Sequence, residues 1–507
     1  MSHAAPIARG ANHPAAGQPE GPGLAYCLAK QARYSERHDA VCLTLGYPLK
    51  VVLLNPVWKG ALQKMAQGNW VTMNEIARLS APVSHDSAVD FLDGLAAKGY
   101  LRTSGMRTIA EYPLVSIIIP VRNRPREVNE CLRSLAKLDY PASKTEIIVV
   151  DDASSDDTPH VISRYNVKLI RMASQRGASY CRNRGAAAAN GEILAFLDSD
   201  CLASAGWLSD LVPAFQNQAV AVVGGLVDGY FRNSGLDKYE QVKSSLRVGR
   251  RFRRSDTDDK SFYVPSCNML VRKREFHKAG GFNQELQVGE DVDLCWRMAD
   301  AGGLLEYRQA GRVLHKHRTK WASFCGRRFD YGTSEPMLQK LHPRRSKRFP
   351  ILAGALCFWA SMAAYFFIQS AALTLLPWAI LLTDGLFKFF RVRSQRLPLG
   401  VGAIIASTMS SYGAFALHLC KFASRYYLLL IPLLLPLGTW LPLGIIAAHL
   451  IAGITEYLGC HPAISLPAFM WWFTLEQISY QAGVWWGCLR QRHFRPLAPR
   501  PFLMRGV

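Results

Sequence analysis

Gly191-Glu192-Ile193-Leu194-Ala195-Phe196-Leu197-Asp198-Ser199-Asp200 is the stretch from which the fold of this chain is read. Five apolar residues, Ile193 to Leu197, stop abruptly at two carboxylates with one serine between them. A short apolar run bounded in this way predicts a buried strand of a parallel sheet. Ligands of open α/β sheets bind beyond the carboxyl ends of the strands, so Asp198 and Asp200 stand where a ligand belongs. Their spacing suits a hard cation, because magnesium and manganese take one or two carboxylates together with substrate phosphate oxygens. Alone the pair is weak evidence, since the same residues cap helices and occupy solvated turns. The neighbouring segments decide between these readings.

Working upstream, two more apolar runs end in polar chemistry. Val115 to Pro120 predicts a strand stopped by proline and followed by Val121-Arg122-Asn123-Arg124. Val128 to Leu138 reads as a helix, and Ile147 to Val150 as a second strand ending at Asp151-Asp152. Strand, helix and strand with polar residues at each strand's end is the pattern of a parallel α/β sheet. A Gly-x-Gly-x-x-Gly after the first strand is absent, as is a Walker-type loop, which argues against a dinucleotide fold or a P-loop enzyme. Gln175 to Gly185 places Arg176, Arg182 and Arg184 around the start of an alanine-rich helix, a plausible setting for a diphosphate.

The whole chain sets the bounds. Its 507 residues suffice for two or three domains, and 49% of them are hydrophobic. A net charge of +22 implies an anionic partner, whether nucleic acid, phosphorylated substrate or anionic lipid. The twelve cysteines contain no Cys-x-x-Cys pair, which argues against a zinc site or disulfide framework and fits a reducing compartment. Residues 1–23, rich in Ala, Gly, Pro and His, read as a disordered tail, and no basic-then-apolar secretion pattern begins the chain.

Residues 24–105 form a small α+β module. A strand over Tyr47–Asn55 leads into a helix from Pro56 to Met65. A second helix covers Met73–Leu79, and Ser84 caps a third, on which Val89, Leu92, Leu95 and Ala96 share one face. The order is winged-helix-like. Asp86, Asp90 and Asp93 lie on the third helix, however, and a groove-reading helix does not usually present such charge to phosphates. No nucleic-acid partner is expected.

Beyond the basic hinge at 344–348, residues 349–490 turn apolar and predict a helical membrane region. Ile351–Ile368 and Ala371–Phe387 form one expected hairpin, Tyr427–Leu450 and Leu466–Trp486 a second; Gly400–Leu419 either spans or lies at the interface. Basic residues flank the first pair on both sides, and Arg490, Arg492 and Arg495 follow the second. The positive-inside rule then places these ends on the cytoplasmic face of a bacterial membrane, with membrane lipid as a partner. Asp384 and Glu476 lie within the apolar stretches and must face protein rather than lipid.

Four motifs in order, VSIIIPVRN, IIVVDDASSDDT, RGASYCRNRGAAAANGEILAFLDSD and GGFNQELQVGEDVDLCWRM, resemble the glycosyltransferase family 2 series over residues 113–330. The resemblance implies a GT-A nucleotide-sugar domain, a UDP-sugar donor, a divalent metal (Mn or Mg) and inversion at the anomeric carbon. By the same resemblance, Pro120, Arg122, Asp151 and Asp152 hold the uracil and ribose. Arg182 lies near the base or phosphates, and Gly177 shapes the loop. Asp198 lies near ribose and metal, Asp200 is the principal metal ligand, and His315 completes that site. Glu290-Asp291 match the acidic pair, with Asp291 as general base and also able to cap a helix over Val292–Ala301. Asn268 to Arg272 match the segment that lines the acceptor side, which assigns Asn268 and Arg272 to it. A Gln-x-x-Arg-Trp motif of processive synthases is missing, and Arg327-Arg328-Phe329-Asp330-Tyr331 occupies its region.

LNPVWKGALQKMAQGNWVTMNEIARL followed by AVDFLDGLAAKGYL resembles the PqqD-like peptide-recognition family, whose members bind a ribosomally made peptide by strand addition. The two resemblances together imply transfer of β-linked glucose from UDP-glucose to a peptide-derived redox cofactor bound partly by the N-terminal module. One unit or a short oligosaccharide would be added. The catalytic motifs alone leave the acceptor open, and a lipid-linked or cell-surface glycan is the other product they allow.

Overall fold

The computed structural model describes residues 23–503, apart from 37–38, 47–48, 106, 108, 110, 250, 258, 346–347, 395–396, 398 and 499. Nearly all of the expected N-terminal tail, and Tyr47 at the start of the expected strand, lie outside the described residues. The chain divides into two units, residues 1–110 with 251–253, and residues 111–250 with 254–507.

In the first unit, strands Ala32–Glu36, Val41–Gly46 and Leu49–Leu54 pair antiparallel. The sequence reading found only the third of them, because Ala32–Glu36 lacks an apolar alternation. Helices Lys59–Ala66, Met73–Leu79 and His85–Ala97 follow. Thr72 and Glu75 form a capping box on the second helix, and Ser84 accepts from the Ser87 amide on the third. A second sheet sets Ala25–Leu28 between Val71–Thr72 and Leu101–Ser104. Leu62, Met65, Ile76, Val89 and Leu92 close the core. The acidic face of the third helix needs a correction. Asp93 is only 1% exposed, accepting from the Tyr26 hydroxyl at 2.7 Å and pairing with Arg107 at 3.0 Å. Asp86 and Asp90 alone face outward.

The second unit is built on Ile193–Leu197. The strands used below are β1 (Val115–Val121), β2 (Thr145–Asp151), β3 (Lys168–Arg171), β4 (Ile193–Leu197), β5 (Cys201–Ala203), β6 (Val220–Gly224), β7 (Val227–Gly229), β8 (Asn268–Arg272), β9 (Leu304–Tyr307) and β10 (Val313–His315). Within the eight-stranded main sheet, these strands run β9-β6-β8-β4-β1-β2-β3. Pairing is parallel across β4, β1, β2 and β3, while β8 runs antiparallel to both β4 and β6. Every residue of β4 is buried, packed with Ile118, Ile148, Phe276 and Phe282, which explains its unbroken apolar run. Because β1, β2 and β4 are parallel, the polar residues after each strand gather at one edge. A small sheet, β5-β10-β7, stands beyond that edge.

The helices used below are α1 (Pro125–Leu135), α2 (Ala178–Ala187), α3 (Gly235–Lys243), α4 (Glu290–Asp300) and α5 (Trp321–Leu341). The C-terminal helices are α6 (Ala353–Ile368), α7 (Ala371–Ser394), α8 (Val401–Tyr426), α9 (Trp440–Cys460) and α10 (Leu466–Gln491). Among the described residues, three helical segments are long and apolar enough to cross a membrane: Leu373–Ser394, Val401–Tyr426 and Trp440–Cys460. The two expected hairpins therefore change. The 16 residues of α6 rise only about 24 Å, short of a hydrocarbon core. Residues 428–437 form short helical turns, and the span expected from Tyr427 begins at Trp440. The ambiguous 400–419 stretch is part of the continuous helix α8.

Helix α10 departs most from expectation. It carries Glu476, Gln477 and Gln481, all buried, and lies along α5. A Cβ on Gly483 would overlap the Phe329 carbonyl, and one on Gly332 the Tyr480 carbonyl, so the two backbones touch through glycine. Glu476 accepts from the Tyr239 hydroxyl of α3 and lies 3.6 Å from Arg328 of α5, which itself pairs with Glu240 at 2.5 Å. Asp384 of α7 accepts from Lys388 at 2.9 Å and from Tyr412 of α8 at 3.0 Å.

Candidate active site

At the carboxyl edge of the sheet, the loops after β1 and β2 hold one another. The Asn123 amide donates to Ser154 Oγ at 2.9 Å, the Ser155 amide to Asn123 Oδ1 at 2.9 Å, and the Arg124 amide to Thr158 Oγ1 at 2.8 Å. Asp152 accepts from the amides of Arg176 and Gly177 at 2.7 and 2.9 Å, which fixes the loop entering α2. Gly177 has φ of 90°, a left-handed turn that glycine adopts without strain. These loops wall a cavity of about 390 Å³, within the size range of small-ligand sites. Pro120, Arg122, Asp152, Gly177, Arg182, Asp198, Asp200, Glu290 and His315, all singled out from the sequence, line it.

Asp200 and His315 meet because β5 pairs with β10, setting Cys201 opposite His315. His315 Nε2 lies 3.7 Å from Asp200 Oδ1, and the Arg124 guanidinium donates to Asp200 Oδ2 at 2.5 Å. Burial opposes ionisation of Asp200, but His315, Arg124 and Arg318 outweigh it and hold the carboxyl below its ordinary range. Asp200, Cys201 and His315 offer donor atoms within 4.8 Å of one another. Burial pushes the Cys201 thiol well above its ordinary value, and hard cations such as Mg and Mn favour oxygen donors over sulfur. Asp200 and His315 are left as an oxygen–nitrogen pair whose separation lets both reach one cation.

Arg182 is the hub. It projects from α2 with its side chain 4% exposed, donating to Asp198 Oδ1 at 2.7 Å and to Glu290 Oε1 at 2.9 Å. Glu290 opens α4 after Gly289, whose φ of 84° turns the chain into the helix. The helix therefore starts before Asp291, which sits in its first turn instead of capping it from outside. Asp291 accepts from the Ser266 amide at 3.3 Å and the Val292 amide at 2.8 Å. Burial, and then the neighbouring Glu290 carboxylate, push its carboxyl up to about 7. Asp291 lines a second cavity of about 360 Å³, whose wall shares Arg182, Asp198, Glu290, Arg327, Arg328 and Tyr331 with the first.

Residues 116–280 match the family model described as glycosyl transferase family 2. The protein is a glycosyltransferase. It is 29% identical over 402 residues to the pre-mycofactocin glycosyltransferase of Mycobacterium tuberculosis, covering 76% of this chain and 82% of that one. It is also 31% identical over 207 residues to glycosyltransferase AglE of Haloferax volcanii, covering 38% and 64%. Among solved structures, mannosyltransferase PcManGT from Pyrobaculum calidifontis, in complex with GDP-Man and Mn2+, aligns with a TM-score of 0.43. That alignment has 16% identity and covers 74% of this chain and 88% of that one. The sheet described above is the GT-A-like domain of the glycosyltransferase.

Three expected site residues lie away from both cavities of the enzyme. Asp151 is fully buried, accepting from the Ser154 amide at 3.2 Å and pairing with Arg171 of β3 at 3.3 Å. As the last residue of β2 it points opposite to Asp152, so alternation along the strand separates the pair. Asn268 is also fully buried. Its amide accepts from Trp207 Nε1 at 2.8 Å and donates to the carbonyls of Gly311 and Leu226 at 2.9 and 3.1 Å, a structural lock. Arg272, at the far end of β8, donates to the Phe215 and Val220 carbonyls at 2.8 and 3.3 Å. Conversely, Arg124, Arg327, Arg328 and Tyr331 line the site without having been assigned to it. Arg124 was visible in the Arg-Asn-Arg run after the first strand. The α5 residues were visible only as the departure from Gln-x-x-Arg-Trp.

Proposed function

We propose that the enzyme transfers glucose, with inversion, from UDP-glucose to a hydroxyl of a ribosomal-peptide-derived redox cofactor, a mycofactocin precursor. The observation that carries the chemistry is the position of Asp291 next to a cavity wall shared with Arg182, Asp198 and Glu290. The cavity holding Arg124, Asp200 and His315 takes the diphosphate side of the donor, and the cavity holding Asp291 takes the acceptor. The acceptor hydroxyl attacks the anomeric carbon, its proton passes to Asp291, and the bond to the β-phosphate oxygen breaks with its electron pair leaving on UDP. A carboxyl that titrates near 7 is well matched to accept that proton at neutral pH. Asp200 and His315 would hold a divalent metal, which supplies charge stabilisation to the departing diphosphate when bound. Arg124 helps keep Asp200 ionised, and Arg182 holds Asp198 and Glu290 in place. Asp152 holds the loop that borders the nucleoside.

Support for the acceptor comes from outside the chemistry. The 402-residue similarity to the pre-mycofactocin enzyme far exceeds the family-model region, so it follows the wider architecture as well as the catalytic motifs. The N-terminal unit is proposed to act as a PqqD-like peptide binder. The apolar helices are proposed to seat the enzyme on the cytoplasmic membrane with its catalytic face inward.

The test is incubation of purified full-length protein with UDP-glucose, Mn2+ and a mycofactocin precursor, with mass spectrometry of the product. The expected product is heavier by one or more hexoses, and deletion of residues 1–105 abolishes its formation while donor hydrolysis persists. A deletion that changes neither rejects the peptide reading. Transfer to lipid instead favours a lipid-linked glycan.

A further inference from the structure

Helix α10 carries its polar residues on the inside. Glu476, Gln477 and Gln481 are buried and bonded within the protein. Glu476 accepts from the Tyr239 hydroxyl, Gln477 from Arg425 at 3.2 Å, and Gln481 from the Leu429 amide at 3.2 Å. The outward side is apolar. Trp471, Leu475, Ile478, Ala482, Trp486 and Leu489 follow one another at steps of four, three, four, four and three. That spacing confines them to an arc of about 80° on a helix. Trp471, Trp486 and Leu489 are 62%, 56% and 60% exposed, and the other three are half-buried. A helix that faces water on the surface of a folded protein has the reverse arrangement, polar outside and apolar inside.

Crossing a bilayer is not how this stripe meets lipid, because α10 is tied to the catalytic domain from end to end. Phe469 packs against Tyr239 of α3 with ring centroids 5.2 Å apart, and Gly483 and Gly487 lie on the backbone of α5. On α5, Arg327, Arg328 and Tyr331 wall both cavities. A crossing α10 would carry these charges and the active site into hydrocarbon, where ionised side chains are costly. Near the end of α9, a candidate span, Glu456 pairs with Lys243 of α3 at 3.0 Å. The chain has therefore returned to the catalytic domain before α10 begins at Leu466. Beyond the stripe, Arg490, Arg492 and Arg495 are exposed and form no ion pair among the described residues. Exposed tryptophans followed by unpaired arginines suit the boundary between headgroups and acyl chains, where an anionic leaflet complements the basic end.

We propose that α10 is an interfacial helix, lying in the plane of an anionic membrane with its stripe from Trp471 to Leu489 buried in the headgroup–acyl boundary. Its opposite side closes the cavity that holds Asp291, through Glu476 and Tyr480. That cavity then stands one helix diameter, about 10 Å, above the lipid, and the acceptor is received at the membrane surface. The C-terminal region is in this way a wall of the active site as well as an anchor. The assignment rests on the proposed seating of the enzyme on the membrane and is independent of which sugar or acceptor is used.

The experiment reconstitutes the full chain in liposomes of phosphatidylcholine and phosphatidylglycerol. A nitroxide is attached through an unnatural ketone side chain at position 471, 478 or 486 in turn, which leaves the native cysteines untouched. A label at exposed Glu285 gives the aqueous reference, and melting temperatures verify folding. Power-saturation electron paramagnetic resonance compares collisions with oxygen, which partitions into lipid, and with a water-soluble nickel chelate. The expected depth is about 5–10 Å at all three positions. A gradient that sets position 478 about 15 Å deep, at the middle of the hydrocarbon core, with 471 and 486 shallow, means a span and overturns the proposal. Nickel access equal to that at Glu285 means a water-facing stripe and also overturns it. Label–label broadening that vanishes on dilution with unlabelled chain would put a second copy of the protein on the stripe, with the same consequence. Protein that fails to float with the liposomes rejects the membrane seating and this assignment together. Flotation with any of the three adverse label results rejects only the assignment of α10.

Discussion

Replacing Arg182 by glutamine removes the cation that spans Asp198 and Glu290, at 2.7 and 2.9 Å. Two charge-assisted hydrogen bonds of about 1.5–3 kcal/mol each, lost from a buried donor, suggest a cost of about 3–6 kcal/mol. Breaking a buried pair by removing one partner gives a similar range of about 3–5 kcal/mol. Asp198 is 28% exposed and Glu290 15%, so both carboxylates recover some hydration, and the lower end, about 3 kcal/mol, is expected. In a unit of this size that corresponds to a fall of several degrees in melting temperature. A second consequence is chemical. Arg182 is among the groups that restrain the upward shift of Asp291, so its loss moves the pH midpoint of turnover further upward. Arg182→Lys keeps the charge but not the planar fork, and it should restore the midpoint more fully than the stability. The assays are thermal unfolding and the pH dependence of kcat/KM for UDP-sugar turnover. Arg182→Gln with an unchanged melting temperature and an unchanged midpoint would refute the hub.

Other outcomes follow from the same geometry. Asp200→Ala should lower donor turnover at least about a hundredfold, and a chelator should abolish wild-type turnover until Mn2+ is restored; insensitivity to both rejects the metal assignment. Gly483→Ala forces a methyl group against the Phe329 carbonyl and should destabilise the α5–α10 contact by about 1–3 kcal/mol, read by thermal unfolding of the full chain in detergent. Asp291 titrates higher in the folded enzyme than in the unfolded chain, so the folded state holds its proton more tightly. Its contribution to stability is therefore full at low pH and is lost as pH rises through about 7. Asp291→Asn should accordingly melt higher than wild type at alkaline pH, with the gap closing in acid.

Local signals carried much of the fold. Ile193–Leu197 was bounded correctly because a fully buried parallel strand leaves an unbroken apolar run between turn residues. Ser84 marked the third N-terminal helix because its side chain caps the helix. What failed depends on partners distant in sequence. The role of Arg182 requires Glu290, 108 positions away. Asn268 sits in a segment suggestive of an acceptor wall, yet its amide is consumed by Trp207, Leu226 and Gly311. Asp151 and Asp152 are adjacent in sequence, but the strand turns them to opposite sides. Helix α10 was read as a span because hydropathy measures burial without saying whether lipid or protein covers the surface. Its Glu476, Gln477 and Gln481 were the warning.

The central claim is that Asp291 takes the proton of the acceptor hydroxyl. The most direct measurement is kcat/KM for sugar transfer from about pH 5.5 to 8.5, for wild type and Asp291→Asn. Wild-type activity should rise about tenfold per pH unit in acid and level off above about 7, and Asp291→Asn should lose at least about a hundredfold on the plateau with no remaining rise. A wild-type rate that is flat across this range, or a variant within about tenfold of wild type on the plateau, contradicts the account.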